Sequence, residues 1–378
     1  MVPRDPIGAC RPQATREVTP VKYVGIDVHK KMCQAAVLDE DGTLLDELRF
    51  PNEPDGIEEF ADKLTTFHDE VKAVVESTGN LWIPIHDRLE ERGFDVALSN
   101  PSKTRLIAEA KVKTDKVDAR PLAGLLRADM LPTCYVPGEE LRSRRELLRH
   151  RLNLVKNRTE VKNRIHGLLD KHGLRMPGTT PFSKDNIAWL RGLSLGFMDD
   201  AILRSDLAVL EAVDGQVTLI EEKIAALAAE DRRVRLLMTM TGVGYFTAML
   251  VVSEVGDVGR FRGDKEFASW MGLVPSVHQS GERTRIGGVS GPGNKRLRWA
   301  LVESAQAAVR YDPRLGGMYE RVSRRRGSGC AMVAVAHEMV RIMYFMLVRE
   351  EPYRGEDRGL TERKLKGMGK KAFNGLRN

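Results

Sequence analysis

The sequence predicts an α/β unit followed by a mostly α-helical remainder. Short β-rich apolar runs crowd the region before residue 100, long helical periods take over after Pro137, and a connection at 174–198 containing Pro177, Gly178 and Pro181 divides those helices. Residues 1–20, with Pro3, Pro6, Pro12 and Pro20 and no hydrophobic periodicity, read as a disordered leader. From Val21, strands are expected at 22–28, 33–38 and 44–50, the last two joined by the turn Asp39-Glu40-Asp41-Gly42. A helix near 55–69, a strand at 72–77, a helix near 81–93 closed by Gly93, a strand at 95–99 and helices after Pro101 and Thr114 complete the unit at 21–137. The order βββαβαβα indicates a mixed sheet flanked by helices.

The middle region, 138–230, reads as helices at about 139–172, ending at Gly173, and 199–230. Leu210, Val213, Val217, Ile220, Ile224 and Leu227 alternate three and four apart. That is a coiled-coil-like seam for an antiparallel partner or another protomer. It serves equally as a plain helical spacer, a dimerisation element or an RNA grip. A third region, 231–350, is mostly helical. It opens with Leu236-Leu237-Met238, the turn Thr241-Gly242-Val243-Gly244 and an apolar helix, a pattern like a helix-hairpin-helix. Backbone amides at Gly242 and Gly244 could there face a phosphate. The last stretch, 351–378, is Gly-rich and basic (Arg363, Lys364, Lys366, Lys370, Lys371) and is expected to be a mobile tail.

Sixty Lys plus Arg against 53 Asp plus Glu give a formal charge of +7, which favours a polyanionic partner. The distribution says more than the total. Residues 141–164 carry Arg142, Arg144, Arg145, Arg149, Arg151, Lys156, Arg158, Lys162 and Arg164 against only Glu146 and Glu160, a stripe suited to a phosphate backbone. Cys10, Cys33, Cys134 and Cys330 are widely separated and lack zinc-ligand spacing, which points to a reducing cytoplasm. No apolar run of about 18 residues is expected, nor a signal peptide.

Four carboxylates carry the chemistry: Asp27 in YVGIDVHK, Glu76 in AVVESTGN, and Asp115 with Asp118 in KTDKVDAR. Asp27 and Glu76 each end a short buried strand, and Asp115 and Asp118, three apart, share a face if the segment is helical. This layout matches ribonuclease-H-like nucleases, in which oxygen-only ligands hold Mg²⁺ or Mn²⁺ to activate a nucleophile and stabilise a leaving oxygen. A second cluster surrounds Ser280, which precedes Gly281 in an expected loop with Arg283, Arg285, Lys295, Arg296 and Arg298 nearby and His278 as a possible base. Gly288-Val289-Ser290-Gly291-Pro292-Gly293 has P-loop glycine spacing, but Asn294 stands where the phosphate-binding Lys belongs, so nucleotide hydrolysis is not expected there.

The segments YVGIDVHK, VVESTGN, SNPSKTRLIAEA and KVKTDKVDAR, together with TGVGYFTAMLVVSEVGDVGRF, FASWMGLVP and HQSGERTRIGGVSGPGNKRLRWAL, resemble the DEDD transposases of IS110-type insertion sequences over about residues 21–350. The resemblance implies a RuvC-like domain whose metal-binding tetrad is Asp27, Glu76, Asp115 and Asp118, and a C-terminal transposase domain whose catalytic serine is Ser280, with Ser290 competing. It further implies RNA-guided strand cleavage and exchange through a covalent phosphoserine. The partners would be donor and target DNA, a structured noncoding bridge RNA and other protomers, as a dimer that becomes a tetramer at synapsis. In such enzymes the two parts of the site come from different protomers. The setting would be the bacterial or archaeal cytoplasm, at the nucleoid.

Lys113, Arg120, Arg145, Arg149, Lys156, Arg283, Arg285, Lys295, Arg296 and Arg298 are the candidate backbone grips. The nearest rival is a RuvC-type nuclease or Holliday-junction resolvase that hydrolyses DNA with the tetrad alone. An actin-like sugar kinase lacks its phosphate loop here, because Val28-His29-Lys30-Lys31 follows Asp27. A non-catalytic nucleic-acid scaffold would leave the four acids without a role.

Overall fold

The computed structural model describes residues 20–108, 119–280, 283–289 and 293–375, with 275–280 and 283–289 described by their backbone. The expected leader therefore lies outside the described residues, apart from Pro20. The chain divides into two compact units, one ending at Val136 and the other beginning at Pro137.

In the first unit, β1 (Val21–Val28), β2 (Met32–Leu38), β3 (Leu44–Pro51), β4 (Glu70–Glu76) and β5 (Asp95–Ser99) form one sheet of order β3-β2-β1-β4-β5. β1 runs antiparallel to β2 and parallel to β4, and β4 runs parallel to β5. Helices α1 (Pro54–Thr65), α2 (Ile83–Glu91), α3 (Pro101–Ala108) and α4 (Ala119–Arg127) accompany it. A small mixed sheet of this kind is consistent with a RuvC-like domain. β1 is apolar at successive positions because both of its faces are covered. Val24, Ile26 and Val28 join a core with Ile57, Phe60 and Leu64 of α1 and Ile85 and Leu89 of α2. On the other face, α4 lies directly against Gly25: a Cβ there would stand 1.9 Å from the Ala119 carbonyl oxygen and 2.6 Å from the Ala123 nitrogen. α1 is shorter than the expected 55–69. The Thr65 and Thr66 hydroxyls donate back to the carbonyls of Asp62 and Lys63, and His68 turns the chain with φ 54°, so β4 begins at Glu70.

The second unit opens with α5 (Glu139–Lys171) and α7 (Phe197–Glu230), which form an antiparallel hairpin. Arg151–Glu221 at 2.5 Å, Arg158–Asp214 at 3.3 Å, Arg164–Asp206 at 2.7 Å and Lys171–Asp199 at 2.7 Å are the rungs between them. Leu210, Val217 and Ile224 of the heptad seam are buried within the chain itself, where α7 packs on α5 and on the C-terminal helix. The connection between α5 and α7 holds a helix that periodicity did not reveal, α6 (Lys184–Arg191), capped by Ser183 accepting from the Asn186 amide at 3.2 Å. At eight residues it is too short to show a repeating face.

The remaining elements are α8 (Arg232–Met238), α9 (Tyr245–Val255), α10 (Asp264–Trp270), the hairpin β6 (Pro275–Ser280) with β7 (Arg283–Val289), α11 (Lys295–Tyr311), α12 (Pro313–Arg349) and α13 (Arg358–Gly375). α9 is buried from Ala248 to Val255 and forms the centre of this core. α12 corrects the expectation that no long apolar run exists, since an 18-residue window in it is apolar enough to cross a membrane. The helix breaks at Gly327 (φ 80°), and Val335, Ala336, Met339, Val340 and Met343 are buried in the protein core, which accounts for its apolarity.

The expectation of a mobile tail at 351–378 is also corrected. Residues 358–375 are α13, whose Met368 and Ala372 are buried and whose Gly375 lies against the Glu222 backbone. Lys364 anchors it, donating to the carbonyls of Met238, of Met240 at 3.0 Å and of Val243 at 3.1 Å. Burial pulls its pKa down to about 8, so the ammonium persists at neutral pH and satisfies the carbonyls at the end of α8 and in the turn after it.

Two substitutions test these contacts. Gly25→Ala must displace α4 and should lower the urea midpoint by about 1–3 kcal/mol of stability. Lys364→Met keeps the aliphatic stem but orphans the carbonyls, for a similar loss of about 1–3 kcal/mol. Unchanged midpoints would refute the corresponding packing role.

Candidate metal and nucleic-acid site

The parallel register of β1 and β4 ends on the pair Ile26↔Val75, so Asp27 and Glu76 are the next residues on adjacent strands. Strand alternation puts Asp27 on the same face as Gly25, and Glu76 on the same face as Val74, which is the face that α4 covers. The two side chains meet in a hydrogen bond between carboxyl groups. Asp27 is 8% exposed, and His29 Nε2 stands 3.1 Å from its Oδ2. Burial raises the pKa of Glu76, and the Asp27 charge and hydrogen bond raise it further, while Arg105 and His29 partly offset them. Two adjacent carboxyl groups, one of them buried, offer the oxygen ligands that a hard divalent cation takes, and its charge would relieve their mutual repulsion. Cys33, on the strand beside β1, is buried, and burial lifts its thiol to about 11.

Asp115, Asp118 and Lys113 lie outside the described residues. Ala119, the residue after Asp118, begins α4, and its carbonyl is the group that meets Gly25, two residues before Asp27. Arg120 is exposed in the same turn. His29 and Arg105 were not singled out from sequence. His29 could have been, since it stands two residues after Asp27 at the strand end.

Ser280 is the last residue of β6, paired with Arg283, rather than a loop residue, and His278 pairs with Arg285 two residues back. The β-branched Val277, Thr284, Ile286 and Val289 are the strand signal that a loop assignment overlooks. Ser290 lies outside the described residues. Lys295 and Arg296 are exposed in the first turn of α11 and Arg298 is half-buried one turn on, so these three are helical and not part of a loop. Asn294 accepts from the Arg296 and Leu297 amides and caps that helix, which explains its presence where a P-loop would carry Lys.

The basic stripe on α5 needs the largest correction. Arg149 makes a two-pronged pair with the buried Glu254, at 3.0 and 2.9 Å, and Arg145 donates to the carbonyls of Ser253 and Glu254 at 2.8 Å each, capping the end of α9. Arg144 pairs with Asp231 and Glu140, while Arg151, Arg158 and Arg164 form rungs to α7. Arg145 and Arg149 are thus tied to acceptors within the same unit, which the expectation of a free basic stripe did not foresee. Lys156 is different: its side chain is 76% exposed and, among the described residues, is held only by the i,i+4 pair with Glu160. The overlooked signal was Glu254, an acid inside the otherwise apolar helix YFTAMLVVSEV. Such a residue demands a cationic partner.

The turn before α9 has a packing role. Gly242, at φ 84°, presses on α11, where a Cβ would come 2.3 Å from the Ser304 carbonyl oxygen. Gly244 precedes the first turn of α9, whose amides receive no side-chain cap.

Comparison with known proteins gives a consistent picture. A family model described as transposase, of the DEDD type of IS110 elements, matches residues 24–173, and one described as transposase of the IS116/IS110/IS902 family matches residues 234–320. The chain is 30% identical over 277 residues to a probable family 20 transposase of Pseudomonas aeruginosa, covering 70% of this chain and 81% of that protein. It is 28% identical over 353 residues to the transposase for insertion sequence element IS1111A of Coxiella burnetii, covering 90% and 93% respectively. Over 337 residues it is 29% identical to the transposase for IS1533 of Leptospira borgpetersenii, covering 84% and 92%.

The Glu76 carboxyl gives a signed pH effect. Without metal the native state holds a proton that the unfolded chain releases, so stability falls as pH rises from the ordinary glutamate range through the raised value. A divalent cation binds the ionised form, so Mg²⁺ or Mn²⁺ should raise Tm more above that window than below it. Glu76→Gln should abolish both the cation-induced rise and the pH slope in thermal melts. An equal rise in the variant would remove Glu76 from the site.

Proposed function

Because the chain belongs to the IS110 family of insertion-sequence transposases, we propose that it cuts and exchanges DNA strands through a phosphoserine on Ser280, assisted by a divalent metal on its acidic tetrad. The observation that carries this reading is the in-register meeting of Asp27 and Glu76 at the ends of β1 and β4, in a chain that also holds Asp115 and Asp118 just ahead of α4. Asp27, Glu76, Asp115 and Asp118 would hold Mg²⁺, or Mn²⁺ in its place. When bound, the ion supplies charge stabilisation at the phosphate and at the departing oxygen.

The residues do the rest. Ser280 Oγ loses its proton and forms a bond to phosphorus, and the bond from phosphorus to a deoxyribose oxygen breaks, with that oxygen taking a proton. Phosphodiester energy is kept in the serine ester, so a second deoxyribose hydroxyl can attack it and release Ser280 with the strands exchanged. Arg283 and Arg285, on the strand paired with that of Ser280, supply positive charge for the phosphate. Guidance by a structured noncoding RNA would leave sequence choice to base pairing and give the protein the task of holding backbones. Lys156, Lys295, Arg296 and the uncapped amides after Gly244 are the described groups suited to that task. The RNA, the assembly of two or four protomers and the completion of one site by two chains all belong to the same proposal.

The test is a denaturing gel after incubation of protein and co-expressed RNA with Mg²⁺ and labelled donor and target DNA. A protein–DNA adduct is expected in wild type and should vanish in Ser280→Ala and in Asp27→Ala. Cutting without an adduct that persists in Ser280→Ala would identify a hydrolytic nuclease instead.

A further inference from the structure

Helix α2 lies on the sheet face opposite α4, where its Ile85 and Leu89 pack into the core with Val24 and Ile26. Between those two residues sits His86, only 2% exposed. Its Nδ1 is buried and, among the described residues, has no hydrogen-bond partner. A ring nitrogen shut away from water without a partner is costly and requires an explanation. The groups nearest to it are carboxylates. Asp87 Oδ1 stands 3.5 Å and Glu90 Oε2 3.8 Å from Nδ1, and the three atoms lie within 4.8 Å of one another. These separations are long for hydrogen bonds. Two ligands about 2.0–2.2 Å from one zinc ion stand roughly 3.3–3.6 Å apart; the Asp87 distance falls in that range and the Glu90 distance lies just beyond it, within reach of a small turn of its exposed side chain.

We propose that His86, Asp87 and Glu90 form a second metal site, separate from the acidic tetrad, that takes a borderline first-row cation such as Zn²⁺. One imidazole nitrogen and two carboxylate oxygens select for zinc over Mg²⁺, which prefers oxygen ligands and keeps its waters. Glu90, whose side chain is 70% exposed, leaves the fourth position open to water. Ligands at positions i, i+1 and i+4 lie on one turn of the helix, so the ion would staple α2 and give the buried nitrogen its missing partner. Trp82 reports on the site, because its ring meets that of His86 edge-on at 5.5 Å between centroids.

The experiment is calorimetric titration of Zn²⁺ into the full-length, chelator-stripped chain in excess Mg²⁺, repeated with Co²⁺ while tryptophan emission is followed. One saturable site is expected in wild type, with Co²⁺ quenching part of the emission. The site should survive in Asp27→Asn and weaken at least tenfold in both Asp87→Asn and Glu90→Gln, isosteric changes that should leave the circular dichroism unchanged. No saturable binding, weakening below tenfold in either carboxamide variant, or loss of the site in Asp27→Asn would each overturn the proposal. Failure of the tetrad reading would appear instead as adduct formation that survives Asp27→Ala.

Discussion

At Gly25 the first strand and the helix α4 approach so closely that no side chain fits between them. The placement of α4 beside the strand that carries Asp27 depends on this contact. Because α4 starts one residue after Asp118, holding its first turn against β1 also fixes where the chain leaves the segment bearing Asp115 and Asp118. The parallel pairing of β1 with β4 does the corresponding work for Asp27 and Glu76, setting both at one level and on one face. A one-residue slip would turn one of the acids to the face packed by α1 and α2. Backbone registration, more than any side-chain contact, therefore brings the two acids together.

Charge is distributed less freely than the net of +7 implies. Most arginines of α5 neutralise acids of α7 and α9 and Asp231 at the start of α8 within the same unit, and the most buried of those acids, Glu254, is 3% exposed. Breaking such a pair leaves a buried charge uncompensated, which costs more than a surface ion pair contributes. Cations left for a polyanion stand elsewhere, among them Lys156, Lys295 and Arg296.

Much of the sheet unit was legible in the sequence because its signals are local. Alternation, the Asp39–Gly42 turn and the acids ending apolar runs each need only a few neighbouring residues. What escaped was long-range. Nothing near Arg149 announces that its partner is 105 residues away, so its stripe looked like a surface for phosphate. α13 has few apolar residues and many lysines, which is the composition of a tail, and its order comes from burying Lys364 against carbonyls more than 120 residues distant. The strand carrying Ser280 was missed, because a short hairpin with glycines at 287 and 288 mimics a loop.

The rungs between α5 and α7 have a geometric consequence. On α5 they fall at 151, 158, 164 and 171, and on α7 at 221, 214, 206 and 199, close to seven-residue steps on both helices. Apolar seams of that period tolerate sliding by a heptad, since one leucine replaces another. Here a heptad slide would leave a cation unpaired at one end and an acid at the other, so the charges act as a vernier that admits one alignment. Helices of 33 and 34 residues, each roughly 50 Å long at about 1.5 Å per residue, thus behave as a strut of defined length. The distance between the α6 end of the hairpin and the core around α9 is thereby set by electrostatics, while hydrophobic packing supplies the cohesion.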